Sequence, residues 1–206
     1  KNQSGTGPDA YNDRNYEAFR ISAVWDVTEN LENYTIFHSS NSETVGYGAR
    51  YLGCDRSVTP DAIGQVAFPR ALVTMAACDQ IDRHNARGDG NLTVDIRHPN
   101  PSIDLEQWQL INTTTWELND SLTVKNILSY GEFKEISIFP LYSDNLFIPD
   151  NVNFLNFGFP AAVQPGAPFS LIDLDVQDGE ANSRQKTWTE ELQLQGQAFA
   201  DKLTFV

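Results

Sequence analysis

The sequence predicts an all-β protein of about six long antiparallel strands joined by tight turns and two long loops. Three observations predict this fold. Apolar and polar residues alternate over long segments, short turn sequences join these segments in pairs, and the stretches between the pairs lack the alternation. The predicted strands cover residues 17–27, 31–43, 105–118, 122–135, 186–197 and 202–206. The predicted long loops cover residues 44–104 and 136–185.

The first strand pair follows a polar segment, residues 1–16, which is typical of a loop. Phe19, Ile21, Ala23 and Trp25 alternate with mostly polar residues, which is the period of a strand with one apolar face. Thr28-Glu29-Asn30 then predicts a turn, and the return strand begins near Leu31.

The clearest alternation lies in the second strand pair. Even positions from Trp108 to Leu118 are mostly apolar or aromatic, whereas the odd positions are mostly polar. Asn119-Asp120-Ser121 predicts a tight turn, and the alternation resumes from Leu122 to Tyr130.

The last strand pair has one strongly polar face. Trp188, Leu192 and Leu194 share one face of the strand, and Thr, Glu and Gln side chains occupy the other. Residues 198–201 predict the turn that precedes the final strand.

The loop over residues 44–104 contains a predicted helix from Pro69 to Ala86. Proline suits the first helical turn, and Gly88 suits the residue after the last one. The loop also holds both cysteines, Cys54 and Cys78, whose spacing matches no zinc motif. A disulfide formed in an oxidising compartment is the favoured interpretation, and two buried thiols are the alternative.

Composition excludes several classes of protein. A net charge of −14 argues against nucleic-acid binding, which needs clustered Lys and Arg. No apolar run is long enough for a transmembrane helix. We expect residues 1–206 to form one partial domain, because the chain starts without Met and stops inside an apolar stretch, as an internal fragment would.

Strand length and loop asymmetry favour a segment of an antiparallel transmembrane β-barrel. Most predicted strands reach or exceed the roughly 9–11 residues that a membrane-spanning strand needs. Short turns on one side and long loops on the other are typical of outer-membrane barrels. Trp108 and Trp116 share a face and lie about 26 Å apart along the strand, close to the roughly 25 Å height of the apolar band.

This spacing predicts aromatic girdles at the two membrane interfaces. Trp25 and Trp116 precede short turns and are expected at the periplasmic rim, with Tyr130 and Trp188 near the other rim. The predicted interface aromatics are Trp25, Trp108, Trp116, Tyr130 and Trp188.

Two segment pairs resemble barrel hairpins of TonB-dependent outer-membrane receptors. These are WQLINTTTWEL (108–118) with LTVKNILSY (122–130), and TEELQLQG (189–196) with DKLTFV (201–206). The resemblance extends over the strands in 17–43, 105–133 and 186–206, and not over the long loops.

The resemblance implies part of a barrel of about 22 strands with a plugged lumen. It implies energy-coupled uptake of a nutrient such as an iron-siderophore, with outer-membrane lipid, a small-molecule ligand and the TonB complex as partners. The chain shows no plug domain and no TonB box. Since the smallest barrels have about eight strands, transport would belong to the parent protein. The exposed edges of a six-stranded piece also predict self-association.

Residues in the first long loop are candidates for ligand contact. Aromatic and guanidinium groups suit sugars or anionic chelates, and the residues concerned are Tyr47, Arg50, Tyr51 and Arg56. No cofactor or metal is expected. The acidic segment 173–180 departs from the EF-hand pattern, and His38, His84 and His98 lack metal-ligand spacing and are expected at the surface or in loops.

No sequence motif supports an enzyme. The chain has no nucleophile elbow, phosphate loop or zinc-protease motif. Arg87-Gly88-Asp89 matches an adhesion tripeptide, but a match of this length arises by chance. The alternative to a receptor segment is a soluble, secreted all-β binding module, such as an adhesin or a carbohydrate-binding domain, whose tryptophans pack in a sandwich core.

Overall fold

The computed structural model is mostly antiparallel β-sheet with one helix, as the sequence predicts. It describes residues 1–59, 68–142, 145–150, 165–170, 172–200 and 202–206. Parts of both predicted long loops, and Asp201 of the predicted last turn, therefore lie outside the described residues. The elements are β1 (Tyr16–Thr28), β2 (Leu31–Thr44), α1 (Phe68–Arg87), β3 (Ser102–Asn119), β4 (Leu122–Pro140), β5 (Leu146–Phe147), β6 (Pro168–Phe169), β7 (Asp173–Leu174), β8 (Ser183–Ala198) and β9 (Leu203–Phe205).

The chain divides into two compact units, each made of three chain segments. Unit 1 comprises Lys1–Asp13, Thr44–Ser102 and Ser137–Asp175. Unit 2 comprises Arg14–Glu43, Ile103–Ile136 and Val176–Val206.

Unit 2 is a sheet of the long strands in the order β1-β2-β3-β4-β8-β9. β1 with β2, β4 with β8 and β8 with β9 pair antiparallel. The tight turns lie at one end of the strands. There the Glu117 amide donates to the Asn30 carbonyl at 2.9 Å, and the Gln197 amide donates to the Ser121 carbonyl at 3.0 Å. None of the described residues of unit 2 is buried.

Strand positions agree with the sequence prediction, but three long strands are longer than predicted. β3 begins at Ser102 rather than 105, β4 continues to Pro140 rather than 135, and β8 begins at Ser183 rather than 186. The last residues of β4 pair with β7, with Phe139 opposite Leu174 and Pro140 opposite Asp173. This extra pairing joins segments distant in sequence, so the strand pattern alone did not indicate it.

Unit 1 has a buried apolar core. Met75 on α1 and Ile148 are both buried, and Val58, Leu72, Ala167 and Phe169 pack against them. The range predicted as the loop 136–185 is therefore not wholly irregular. Leu146 and Phe147 of β5 pair with β6, and Leu146 is completely buried.

Helix α1 agrees with the predicted helix to within one residue at each end. It ends at Arg87 and is followed by Gly88, whose φ of 70° is the left-handed conformation that glycine adopts readily. The Gly88 amide donates to the Asn85 carbonyl at 3.1 Å and the Asp89 amide donates to the His84 carbonyl at 3.0 Å, so both form capping bonds. Among the residues that the structure describes, no helix combines the length and hydropathy needed to span a bilayer.

The predicted disulfide is present and joins the start of the first long loop to α1. Cys54 and Cys78 are bonded, with 5.4 Å between their Cα atoms. Beside it, Arg56 makes two hydrogen bonds to the Asp82 carboxylate, at 3.0 and 2.8 Å. The disulfide closes a loop within unit 1. It stabilises the folded state mainly because it lowers the conformational entropy of the unfolded chain.

Candidate functional site

A row of aromatic rings crosses five strands on one face of the unit 2 sheet. We call it the aromatic row; it consists of Phe19, Phe37, Trp108, Tyr130 and Trp188. Neighbouring ring centroids are 6.2, 6.3, 5.4 and 6.4 Å apart, and each pair is tilted. These separations and tilts are those at which aromatic rings attract each other.

Strand register explains why these rings meet. Side chains directly opposite each other in an antiparallel pair point to the same face. Tyr130 on β4 is opposite Trp188 on β8, and Ile21, two residues from Phe19, is opposite Phe37. Two predicted interface aromatics, Tyr130 and Trp188, are thus register partners, and Trp108 completes the row from β3. Phe19 and Phe37 belong to the row but were not among the predicted interface residues.

Trp25 and Trp116 lie on the same face, toward the turn end of the strands. Trp25 follows Phe19 by six residues on β1, and Trp116 follows Trp108 by eight residues on β3, so both keep the same parity. The large apolar side chains exposed on this face include Phe19, Ile21, Trp25, Leu110, Trp116, Leu118, Trp188, Leu192 and Leu194. We call this surface the apolar face.

A polar band crosses the apolar face between its two levels of aromatic side chains. Asn33 and Asn112 donate to each other's amide oxygens at 3.1 and 2.9 Å. Asn33 also donates to the Thr114 hydroxyl at 2.9 Å, and Asn112 to the Thr35 hydroxyl at 2.7 Å. These side chains satisfy one another, so the band stays on the sheet surface without exposing unpaired amides.

The band continues onto the last two long strands. Asn126 on β4 donates to the Glu190 carboxylate on β8 at 3.3 Å. Glu190 is opposite Leu128 in the register and has the same parity as Trp188 and Leu192, so its carboxylate lies on the apolar face. Glu190 is thus an ionisable acid between the two levels of aromatic side chains, whereas Glu132, which has the same parity, lies beyond Tyr130 and accepts a hydrogen bond from its hydroxyl.

The opposite face of the sheet is polar and contains a shallow hollow of about 280 Å³. Its centre is a hydrogen-bonded chain in which His38 Nε2 lies 2.9 Å from Gln109 Oε1 and Gln109 Nε2 donates to the Ser129 hydroxyl at 2.7 Å. Gly131 lines the hollow, and a Cβ there would lie 3.0 Å from the Trp108 carbonyl oxygen. Glycine therefore allows β4 to approach β3 closely at this point.

Acidic side chains gather at the turn end of the polar face. A hollow of about 480 Å³ there is lined by Asp26, Glu29, Glu32 and Glu117, among others. Asp26 is directly opposite Glu32 in the register of β1 with β2. Two like charges placed opposite each other destabilise a strand pair.

Unit 1 has its own groove, of about 620 Å³, between α1 and residues 147–150. The Arg83 guanidinium lies 4.8 Å from the centre of the Phe147 ring and donates to the Asn145 carbonyl at 2.6 Å. Burial raises the pKa of Asp79 above its ordinary value, and the nearby carboxylates of Asp82 and Asp150 act in the same direction. The residues that line the groove are therefore mainly acidic, and the Arg83 guanidinium among them lies against the Phe147 ring.

The four predicted ligand-contact residues differ in their exposure and in their hydrogen-bond partners. Tyr47 is among the most exposed side chains, whereas Tyr51 is half-buried. Arg50 donates to the Gly90 carbonyl at 2.7 Å, and Arg56 is paired with Asp82. The hydrogen bond and charge of Asp82 raise the pKa of Arg56, so this guanidinium already has an anionic partner. Their role in ligand contact stays a prediction.

A buried polar network in unit 1 was not predicted from the sequence. Asp95 is fully buried, and its carboxylate accepts hydrogen bonds from Asn145 Nδ2 at 2.6 Å and from Arg87 at 3.1 Å. Its backbone carbonyl accepts from Gln80 at 3.0 Å. Every one of these groups lies in a helix or loop whose sequence lacks a strand pattern, so no periodicity indicated its burial.

His84 corrects the expectation that all three histidines lie at the surface or in loops. Its side chain is on α1 and only 1% exposed, and Nδ1 lies 2.7 Å from Asp89 Oδ2. Arg87 also pairs with Asp89, at 2.8 Å. The Arg-Gly-Asp tripeptide is therefore held in internal bonds, which agrees with a chance match to the adhesion motif.

Among the residues that the structure describes, no three His, Cys, Asp or Glu side chains converge as a metal site. In the acidic segment 173–180, Asp173, Asp175 and Asp178 are exposed. Gly179 adopts a φ of 83° in the turn that follows. Asp173 lies in β7, and Asp175 and Asp178 lie in the segment that follows it.

Comparison of the chain with known protein families, with curated proteins and with solved structures gives no match.

Proposed function

We propose that this chain is part of the membrane-spanning β-barrel of a TonB-dependent outer-membrane receptor. In this proposal the apolar face contacts lipid, and the residues of unit 1 belong to extracellular loops that capture a nutrient such as an iron-siderophore. The chain itself is not proposed to be catalytic. Closing a barrel needs at least about eight strands, so the proposal requires strands from the parent protein.

The apolar face is the observation that carries this proposal. In unit 2 it presents large side chains to solvent, among them Trp188, 62% exposed, and Leu192, 72% exposed. Soluble monomers rarely leave a continuous apolar surface of this kind uncovered. The aromatic row at one level, with Trp25 and Trp116 at another, agrees with girdles at the two interfaces of a bilayer.

Two further features support an extracytoplasmic barrel. The long strands contain 13 to 19 residues, above the roughly 9–11 that span a bilayer. The Cys54–Cys78 disulfide is compatible with an oxidising compartment such as the bacterial cell surface.

The experiment uses the full chain reconstituted in phosphatidylcholine vesicles, in single-tryptophan variants made by replacing the other three tryptophans with Phe. Lipids brominated near the headgroup or deep in the acyl chain quench tryptophans at matching depths. We expect Trp108 and Trp188 to be quenched most by shallow bromines. Trp25 and Trp116 should behave alike, as the second girdle. Tryptophans that no brominated lipid quenches would contradict the proposal.

A second experiment addresses the parent protein directly. An antibody against the chain is used on fractionated source cells, with boiled and unboiled samples run side by side. A heat-shifted band several times larger than 23.1 kDa in the outer membrane is expected. A heat-indifferent band near 23.1 kDa in a soluble fraction would exclude the barrel.

Capture of the ligand by the first long loop is tested with variants of Tyr47 and Arg56. In the proposal, exposed Tyr47 is free to stack on a ligand, whereas Arg56 is already paired with Asp82. We expect Tyr47→Ala in the parent receptor to weaken ferric-siderophore binding more than Arg56→Ala. An equal effect of the two variants would indicate that the loop acts through its fold rather than through contacts.

The polar band favours a second candidate, a secreted binding module that uses the aromatic row as a platform for sugar rings. Lipid-facing Glu190 would be costly at mid-membrane, whereas water would solvate it. Soluble xylo- and cello-oligosaccharides should then quench tryptophan fluorescence of the chain in vesicle-free buffer. Lack of a saccharide effect together with quenching by brominated lipid would leave the receptor segment.

A further inference from the structure

The chain contains two Asp-Gly pairs and no Asn-Gly pair. One pair is Asp89-Gly90, which follows α1, and the other is Asp178-Gly179, which lies between β7 and β8. The nitrogen of a backbone amide can attack the carboxyl group of the aspartate before it, and glycine hinders this attack least because it has no Cβ. The two pairs share this local chemistry, so their surroundings decide which of them reacts.

Asp178 and Gly179 are the two central residues of an exposed turn. The Glu180 amide donates to the Gln177 carbonyl at 2.9 Å, which closes the turn. Gly179 has a φ of 83° and the φ of Asp178 is not positive, which is the combination found in a type II turn. All four residues are exposed, and segments held by hydrogen bonds that water reaches open readily.

Both reacting groups of this pair are free. Among the residues that the structure describes, none forms a hydrogen bond or an ion pair with the Asp178 carboxylate, and none accepts a hydrogen bond from the Gly179 amide. A Cβ added at Gly179 would meet no atom within 4 Å, so a ring formed between the two residues has space. The amide nitrogen is therefore able to approach the side-chain carbon.

The carboxylate of Asp89 is held in place instead. Its side chain is only 6% exposed, and Oδ2 lies 2.7 Å from His84 Nδ1 and 2.8 Å from Arg87 Nη2. Arg87 Nε also donates to Oδ2, at 2.9 Å. Hydrogen bonds to an ionised group are among the strongest in proteins, so they resist the rotation that ring closure needs.

The ionisation of Asp89 acts in the same direction. Burial alone would raise the pKa of this carboxyl group, but hydrogen bonds from Arg87 and His84 hold the pKa below its ordinary value of 3.8. The group therefore stays ionised in mild acid, and an ionised carboxylate is attacked by a nucleophile less readily than the protonated acid.

We propose that Asp178-Gly179 is a site of spontaneous isomerisation to isoaspartate, and that the folded structure protects Asp89-Gly90 from the same reaction. The Gly179 nitrogen attacks Cγ of the protonated Asp178 carboxyl group. The bond between nitrogen and Cγ forms, the nitrogen loses its proton and Cγ loses its hydroxyl group, so one water leaves and a cyclic succinimide remains.

Hydrolysis completes the isomerisation. Water adds to the backbone carbonyl carbon of Asp178, and the bond from that carbon to the Gly179 nitrogen breaks. The main chain then passes through Cγ, and the α-carboxylate becomes a side group. One water leaves and one enters, so the mass of the chain is unchanged and the reaction needs neither an oxidant nor a cofactor.

The product changes the turn and leaves the net charge as it was. Isoaspartate adds one carbon to the main chain between Gln177 and Glu180, so the hydrogen bond that closes the turn no longer fits. The α-carboxylate replaces the side-chain carboxylate of Asp178. We therefore expect an altered connection between β7 and β8 with the same number of charges.

Asn182, which precedes Ser183, is the rival site in this segment. Ser183 is the first residue of β8 and pairs with Glu135, which restrains the backbone on which ring closure depends. An asparagine also releases ammonia rather than water when it forms a succinimide. A reaction at Asn182 therefore changes the mass of the chain, whereas isomerisation at Asp178 does not.

The test stores the full chain in mildly acidic buffer and measures isoaspartate at each site. Fragmentation mass spectrometry of the digested chain locates the isomer, and an isoaspartyl methyltransferase labels its free α-carboxylate. We expect isoaspartate at Asp178 to exceed that at Asp89 by roughly tenfold or more, because a reaction at Asp89 must first break charge-assisted hydrogen bonds.

Two controls separate the effect of the fold from that of the sequence. In urea with the disulfide reduced, neither carboxylate has its folded surroundings, so both pairs should react at similar rates. Asp178→Glu keeps the charge, but its longer side chain requires a larger ring that closes more slowly, so the methylation label at this position should be lost. Retained helix and tryptophan signals show that the variant is folded.

Three outcomes would overturn the proposal. These are equal amounts of isoaspartate at Asp178 and Asp89 in the folded chain, isoaspartate at Asp178 only after unfolding in urea, and an undiminished label in Asp178→Glu. The membrane assignment predicts none of these results, so either proposal can fail without the other.

Discussion

Unit 1 and unit 2 differ in how they bury their apolar and polar side chains. Unit 1 buries apolar residues such as Ile96 and Leu146 and holds the buried carboxylate of Asp95 in internal hydrogen bonds. Unit 2 buries none of its described residues and leaves its apolar face exposed. Burial of apolar side chains therefore stabilises unit 1, whereas the stability of unit 2 depends on hydrogen bonds between strands and on the medium or molecule that covers its apolar face.

The two units also have separate spectroscopic signals. All four tryptophans, Trp25, Trp108, Trp116 and Trp188, belong to unit 2. The one helix among the described residues, α1, belongs to unit 1. The helical component of the far-ultraviolet circular dichroism spectrum, once separated from the sheet signal of unit 2, therefore follows unit 1, and tryptophan fluorescence follows unit 2. Unfolding of each unit can thus be measured in one sample.

The largest expected effect is that of Asp95→Ala. The substitution leaves the buried Asn145 amide and the Arg87 guanidinium without their carboxylate, which costs about 3–5 kcal/mol of unfolding free energy. Urea unfolding followed by the helix signal measures it. Asp173→Ala, at an exposed carboxylate in the same unit, is the control and should change stability by less than about 0.5 kcal/mol. Equal effects would mean that the network adds nothing to stability.

Removing the disulfide is the next largest effect. Cys54 and Cys78 are separated by 24 positions, and the loop they close predicts a loss of roughly 3.5 kcal/mol in the double Ser variant. The helix signal should shift to lower urea while the tryptophan signal moves less. A shift of equal size in both signals would show that the units unfold as one.

Matched leucine truncations sharpen the comparison of the two units. Leu146→Ala removes a completely buried side chain and should cost about 3 kcal/mol in the helix signal. Leu192→Ala removes a side chain that is mostly in water and should cost less than about 0.5 kcal/mol in the tryptophan signal in aqueous buffer. A large cost at Leu192 would show that the apolar face is covered in solution.

The smallest effect is a pH dependence confined to unit 1. Burial alone would raise the pKa of Asp89, but hydrogen bonds from Arg87 and His84 hold that pKa below its ordinary value of 3.8. The unfolded chain therefore takes up this proton first as pH falls. The stabilising contribution of Asp89 is present above pH 3.8 and is lost as pH falls through the lower, folded pKa.

Asp89→Asn should flatten the acid limb of the stability curve of the helix signal, and the tryptophan signal should not change. An unaltered acid limb in the helix signal would show that the carboxylate gains nothing from its two donors.

Sequence reasoning recovered the long strands because their period of two is a local property. The hairpin around Asn119–Ser121 and the helix before Gly88 were both predicted from residues next to them in the chain. The short pairs, such as Leu146 with Phe169, join segments far apart and have no periodicity to read. The aromatic row lies between these cases, since alternation gives the face of each ring but not the register that aligns Trp108 with Tyr130.

The candidate site shows the same limit. The position of Tyr47 in a loop and the Cys54–Cys78 disulfide were both predicted from residue types and their spacing in the chain. The burial of Asp95 and His84 was not, because polar residues in a loop or on a helix are expected in water, and only the packed structure shows that these two are buried. The burial of Asp95 depends on its hydrogen bonds with Arg87 and Asn145, and the order of residues in the chain does not show that these three side chains meet.

The interleaving of the two units along the chain affects the order of events during synthesis. Each unit takes three separate segments, so neither is complete until most of the polypeptide has emerged from the ribosome. The β1–β2 hairpin and both cysteines lie early in the chain, whereas Leu146, a buried core residue of unit 1, is made much later. Because the disulfide needs an oxidising compartment, the nascent chain carries reduced cysteines and an unfinished core, and in this interval a holding chaperone protects its apolar segments.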